Sequence, residues 1–245
     1  MALIDRERFR RQLGLPGFGE EGQLRLFRSR VLVVGAGGLG SPVIHALAAA
    51  GVGCLRIIDY DTVSLSNLNR QTLYRRSDIG RMKSEAASEW VRSFYPECTV
   101  EAFAEPLSEN HLKGMDLAVD ATDNYPARLL LDRLTETAGI PMVHSSVSGL
   151  AGQVATFLPG GRRYRELFPI GGQSESERSE RSSDEKPRTI EDIEPPLVLG
   201  AAVQTIGSIE AAEVLKQLLG LPDNLSNRLL TADLSRYDFQ IFDLM

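Results

Sequence analysis

Six residues, Gly35-Ala36-Gly37-Gly38-Leu39-Gly40, constrain this chain more than any others. They match G-x-G-x-x-G. They stand between a β-branched run, Arg30 to Val34, and a helical pattern from Leu39 with Val43, Leu47 and Ala50 on one face. In that setting the glycines allow a tight turn and close approach of backbone to a ligand. The helix start then offers free N–H groups and a positive dipole end to phosphate. Asp59 ends the next expected strand, Leu55 to Ile58, 19 residues past Gly40. A carboxylate there can accept hydrogen bonds from a ribose. The competing reading is a turn that merely packs helix on sheet. Strand, helix and acid in one unit favour a nucleotide, but the motif alone does not separate a dinucleotide from ATP.

The rest of the chain continues the alternation. Helical patterns are expected over Lys83 to Phe94 and Pro126 to Thr137, and strands over Thr99 to Phe103, Leu117 to Asp120 and Met142 to His144. This predicts an α/β fold, a Rossmann-like doubly wound and mostly parallel sheet. Beyond residue 150, strands at Gln153 to Leu158, Arg228 to Ala232 and Phe239 to Phe242 predict a C-terminal antiparallel extension. A helix is expected at Ala201 to Leu219, with Val203, Ile206, Ile209, Ala212 and Leu215 as its apolar positions. The opening Asp5 to Phe27 reads as helix broken by Gly14, Pro16 and Gly17. We read 1–245 as one domain, with N-terminal helices in 1–29, a nucleotide-binding half in 30–150 and a partner-binding half in 151–245. Gln173 to Glu194 holds eight acidic and four basic residues with five serines and no apolar period. It is expected to be a mobile surface loop, a solvated tether or a binding element.

Val31 to Leu55 carries no formal charge over 25 residues, long enough to span a bilayer. Its six glycines and Pro42 argue instead for strand, turn, helix and turn. The charged N-terminus is not expected to be a signal peptide, and a cytoplasmic protein is expected. A net charge of −6 disfavours bulk nucleic-acid binding. Cys54 and Cys98 cannot make a four-ligand zinc site and read as small buried hydrophobes. Of the histidines, His45 falls inside the first helix, His111 in a polar connection, and His144 at a strand end as a core residue or a crevice lining.

The segment after Asp59 is unusual for a dehydrogenase. Asp61, Asn67, Arg70 and Gln71 come in quick succession, and Lys83 opens a helix. Arg70 and Lys83 put cations beside the expected phosphates, as a triphosphate under attack requires; otherwise they belong to a solvated basic face. Asp120 and Asp123 flank the end of the fourth strand. Two carboxylates at that spacing can hold Mg²⁺ with phosphate oxygens, or Asp123 or Asn124 simply caps the next helix.

Taken together, Arg8-Phe9-Arg10-Arg11-Gln12, Gly35 to Gly40, the run Asp59 to Gln71, Lys83, and Asp120 to Asn124 resemble the ThiF/MoeB/HesA family, adenylyltransferases related to ubiquitin-activating enzymes. The resemblance covers nearly the whole chain, including Gly152-Gln153 and the helix from Gly200. It implies ATP and Mg²⁺, with phosphates over Gly35, Gly37, Gly38 and Gly40 and the ribose on Asp59. Asn67, Arg70 and Lys83 would meet phosphates, with Asp61, Gln71 and Asn124 in the same nucleotide site. Asp123 would hold the metal. Arg11 matches an arginine that reaches the ATP of the other subunit in a homodimer. Arg11, Arg70, Lys83 and Asp123 are thus the implied catalytic set. The substrate would be the C-terminal glycine carboxylate of a small ubiquitin-like sulfur-carrier protein ending in Gly-Gly, as in thiamine or molybdopterin synthesis.

The chain departs from the family in two places. Many members bind zinc through two C-x-x-C pairs, but here Arg163 and Glu166 replace the first pair and the chain stops at Met245 before the second. No zinc is therefore expected. The stretch Glu191 to Leu199 also lacks the cysteine that thioester- or persulfide-forming members carry. The alternatives are activation of another carboxylate, such as a modified tRNA base or small molecule, a non-catalytic binder of a ubiquitin-like partner, and an NAD-dependent oxidoreductase.

Overall fold

The structure, a computed structural model, describes residues 4–169 and 197–244; the expected loop Gln173 to Glu194 lies outside them. In chain order the elements are α1 (Arg10–Leu13), α2 (Gly19–Arg28), β1 (Arg30–Val34), α3 (Gly40–Ala50), β2 (Cys54–Ile58), α4 (Lys83–Phe94) and β3 (Thr99–Phe103). Then come β4 (Leu117–Asp120), α5 (Tyr125–Ala138), β5 (Met142–Ser148), β6 (Ala151–Phe157) and α6 (Tyr164–Leu167). Past residue 197 follow α7 (Gly200–Leu219), β7 (Arg228–Asp233) and β8 (Asp238–Asp243). The uncharged stretch from Val31 to Leu55 is thus strand, helix and strand, and no described helix is long and apolar enough to cross a membrane.

One sheet joins all eight strands in the order β3-β2-β1-β4-β5-β6-β7-β8. The first five are parallel, and β5 to β8 pair antiparallel. Side chains of a strand alternate between faces. Val31 and Val33 therefore join Leu55, Ile57 and Val119 under α3, α4 and α7, while Leu32, Val34 and Ile58 join Leu131 and Met142 under α5. Burial on both faces explains why β1 and β4 read as near-continuous apolar runs, while Arg56 of β2 is accommodated by its ion pair with Glu101. Strand order reverses at β1, between β2 and β4, so the carboxyl ends of these three strands open on the crevice where such sheets bind ligands.

Two expectations need correction. β5 runs to Ser148, beyond His144, because all seven of its residues pair with β6 from Met142↔Phe157 to Ser148↔Ala151. Its serines obscured a strand that the ladder makes. The second concerns α7, where Ala212 is exposed while Glu210 and Glu213 are buried. Positions at a constant spacing of three rotate by about 60° per step on a helix of 3.6 residues per turn, so no single face holds all five. The buried acids are partnered: Ser145 donates to Glu210 at 2.6 Å, and Thr156 and the Leu225 N–H donate to Glu213 at 2.7 and 2.8 Å.

Candidate active site

A cavity of about 540 Å³ opens at the ends of β1, β2 and β4, between the glycine turn and the start of α5. Gly35 sits at φ +94°, and a Cβ there would lie 2.5 Å from the Ala121 carbonyl oxygen. Only glycine lets β1 leave the sheet this close to β4. Gly40 packs directly on Gly35 and shapes the turn, whereas Gly35, Gly37 and Gly38 reach the cavity wall. The Gly37 and Gly38 N–H groups have no acceptor among the described residues.

Asp59 is committed to this loop. One carboxylate oxygen accepts the Ala36 N–H at 2.8 Å and the other the Asp61 N–H at 2.9 Å. Burial pushes its carboxyl up, opposed by the Lys83 charge and these two amides. Each oxygen keeps a lone pair for a further donor. Lys83 is buried at the first turn of α4, and its Nζ lies 2.8 Å from the half-exposed Asp61 carboxylate. Arg70 reaches the cavity while donating to Ser66 O at 2.9 Å and Asn69 Oδ1 at 3.1 Å. Its own carbonyl accepts from Gln204 of α7 at 2.8 Å. Gln71 is buried beside them, with Oε1 unpartnered.

At the far wall, Asn124 caps α5 by accepting the Ala127 N–H at 3.0 Å, which leaves Asp123 exposed to the cavity. The expected carboxylate pair does not form. Asp120 is fully buried and spends its oxygens on His144 Nδ1 at 2.7 Å and the Thr122 hydroxyl at 2.7 Å. Burial pushes the Asp120 carboxyl up, but His144, Arg128 and Thr122 outweigh it and the net direction is down. Burial lowers the His144 imidazole. His144 is therefore a core residue. A single exposed carboxylate still suits Mg²⁺, which takes one or two carboxylates and completes its shell with phosphate and water oxygens. Among the described residues no cluster of three or more His, Cys, Asp or Glu could hold a metal ion by itself.

Besides Gly40, which does not reach the wall as expected because it packs on Gly35, the structure leaves two expected residues outside the cavity. Asn67 caps a short turn, accepting the Ser64 N–H at 3.0 Å. Arg11 is exposed on α1, which Phe9 anchors against Tyr95 and Gln12 ties to Ala50 O at 2.9 Å. Arg163 and Glu166 fall at α6, where Arg163 is buried and pairs with Asp132 at 2.9 Å. Cys54 and Cys98 are buried thiols, and burial pushes Cys98 up to about 12. His111 is buried with Nε2 2.9 Å from Glu105, and His45 stacks edge-on to Trp90.

Sequence reasoning missed four contributors. Arg128 donates to Thr122 O at 2.9 Å and holds the turn before Asp123. Its position four residues after the cap Asn124, one helical turn, is the signal that could have found it. Pro106 and Leu107 form an apolar wall beside the Asp59 end; nothing local marks them. Tyr74 donates to the Ala36 carbonyl at 2.6 Å across 38 residues.

A family model described as the ThiF family matches residues 9–245. The chain belongs to the ThiF family. It is 39% identical to a SAMP-activating enzyme E1 of Haloferax volcanii, with 96% of this chain and 83% of that one aligned. It is also 39% identical to a sulfur carrier protein adenylyltransferase of Thermus thermophilus, over 96% of this chain and 85% of that one. Its fold is similar to the crystal structure of PaaA, with a TM-score of 0.80 at 24% identity, over all of this chain and 84% of that one.

Proposed function

We propose that this ThiF family chain is an ATP-dependent adenylyltransferase that activates the C-terminal glycine carboxylate of a small ubiquitin-like sulfur-carrier protein. One observation carries the reading. A single cavity is walled by the phosphate-binding turn, by two cations from a separate segment, Arg70 and Lys83, and by the exposed carboxylate of Asp123. The names of the two 39%-identical relatives support the same reaction.

ATP lies with its phosphates over Gly35, Gly37 and Gly38 and its ribose on Asp59. A carboxylate oxygen of the carrier attacks the α-phosphorus. The bond from that phosphorus to its bridging oxygen breaks, pyrophosphate leaves with the electron pair, and an acyl-adenylate remains. Arg70 and Lys83 stabilise the charge that grows on the phosphates. The Asp61 carboxylate holds the Lys83 ammonium beside the site before ATP arrives. Asp123 would hold Mg²⁺, which when bound neutralises phosphate charge. Asn67, away from the cavity, supports the Arg70 turn through its cap. Arg11 would serve the site of a second copy, which makes the working unit a homodimer in the cytoplasm. The chain folds as one domain without zinc; elemental analysis should find far less than one zinc per chain.

The decisive assay is ATP–pyrophosphate exchange. Labelled pyrophosphate should enter ATP only when a carrier ending in Gly-Gly is present. Exchange driven by a small carboxylate instead would move the substrate class. Hydride transfer with NAD and no exchange would overturn the reading.

A further inference from the structure

The Ala36 peptide inside the glycine turn is held from both ends. Its N–H donates to Asp59 Oδ2 at 2.8 Å, and its carbonyl accepts from the Tyr74 hydroxyl at 2.6 Å. Tyr74 is buried in the core between the turn and α4, three residues after Gln71 in the segment that also presents Arg70. Its hydroxyl has one hydrogen. The Lys83 carbonyl lies farther off, at 3.3 Å, so that hydrogen belongs to Ala36. Burial pushes the phenol well above its ordinary value, with Asp59 and Asp78 adding to the shift, so Tyr74 stays a donor at any physiological pH.

The consequence follows from peptide geometry. In a trans peptide the C=O of one residue and the N–H of the next point in opposite directions. With the Ala36 carbonyl drawn to the buried Tyr74, the Gly37 N–H faces away from the core, and Gly37 lies on the cavity wall. The Gly37 carbonyl is fixed likewise by the Ser41 N–H at 3.0 Å and the Ser41 hydroxyl at 2.7 Å. That turns the Gly38 N–H outward by the same rule. Glycines do not hold such an orientation by themselves, since they populate both signs of φ readily.

We infer that Tyr74 is a positioning residue that aims the Gly37 N–H at the nucleotide's phosphates. This deepens the adenylyltransferase reading and rests on ATP occupying the cavity. It separates the two services of the turn. Asp59 meets the sugar and holds Ala36 from one side, while Tyr74 acts on the phosphate donors alone.

Tyr74→Phe removes the hydroxyl and keeps the ring that fills the core. Binding of ATP and of adenosine to the full chain should be measured by titration calorimetry, with no carrier present. The expected result is a loss of about tenfold in ATP affinity, the size of one neutral hydrogen bond, with adenosine affinity within twofold of wild type. A purely structural role would weaken both ligands together, and that outcome would overturn the inference, as would an unchanged ATP affinity. If the wild-type chain binds adenosine and ATP equally, the phosphate site itself is misplaced. If it binds neither, the adenylyltransferase reading fails before Tyr74 is tested, and the inference falls with it.

Discussion

Asp132 on α5 should be the most sensitive single position for stability outside the apolar core. It is fully buried, its carboxylate pairs with Arg163 Nη2 at 2.9 Å, and it accepts from Arg165 Nη1 at 2.8 Å and from the Tyr164 N–H at 3.1 Å, all in the segment around α6. Arg163 is itself only 1% exposed. Asp132→Ala would leave that guanidinium without a counter-charge in a site water does not reach. The Thr135 hydroxyl at 2.8 Å and the Asp132 main-chain carbonyl would still accept from it, but neither carries charge. Removing one member of a buried ion pair typically destabilises by about 3–5 kcal/mol. In a chain of this size each kcal/mol moves the melting temperature by about 2–4 °C, so a fall of roughly 6–20 °C is expected. Arg165 is one-third exposed, and screening limits Arg165→Ala to about 0–1 kcal/mol. Urea unfolding of the two single variants and of Asp132→Ala/Arg163→Met decides the matter. The double variant should recover most of the loss, because an apolar side chain of similar volume needs no partner. A loss below about 1 kcal/mol for Asp132→Ala, or no recovery in the double variant, would refute the argument that an uncompensated charge is the cause.

Lys83→Ala, Arg70→Ala and Asp123→Ala should each slow ATP–pyrophosphate exchange by about a hundredfold or more while weakening ATP binding far less. Asp59→Ala should weaken ATP binding first, since ribose contacts are alike in ground and transition states; equal effects on both quantities would contradict the assignment. Mixing inactive Arg11→Ala with inactive Asp123→Ala should restore part of the activity through mixed dimers, and no recovery despite demonstrated subunit exchange would count against delivery in trans. Burial raises the Glu210 carboxyl well above its ordinary value, so the folded chain holds a proton there that the unfolded chain releases near pH 4. Stability is therefore lost as pH rises from that value toward the folded-state pKa. Glu210→Gln should flatten this slope in urea unfolding across pH 4–8, and a parallel slope would show that Glu210 is not its source.

The parallel half of the fold and its nucleotide turn were legible because each rests on local constraints. β1, α3 and β2 follow from period, from β-branched runs and from glycines that sterics require at fixed places, all within 30 residues of chain. α4, β3 and β4 were located to the residue because their apolar faces are short and bounded by turn chemistry. The candidate site divides along the same line. That Gly35, Asp59, Lys83 and Asp123 stand on one cavity follows from their places at strand ends and helix starts, whereas Arg70 reaches it from a turn between β2 and α4. What each side chain is free to do was decided only by tertiary contact. Asp120 and Asp123 are equivalent as letters, yet β5 brings His144 onto Asp120 across 24 residues and removes it from metal binding. Asn67 turned inward to a cap, and Glu210 entered the core because Ser145 arrived opposite it. Tyr74 meets Ala36, and Arg163 meets Asp132, only after the sheet has folded. A carboxylate or hydroxyl pairs with whatever donor or acceptor packing delivers, at sequence separations for which local pattern carries no signal. Backbone conformation is set by neighbours along the chain, and the state of a polar side chain by neighbours in space.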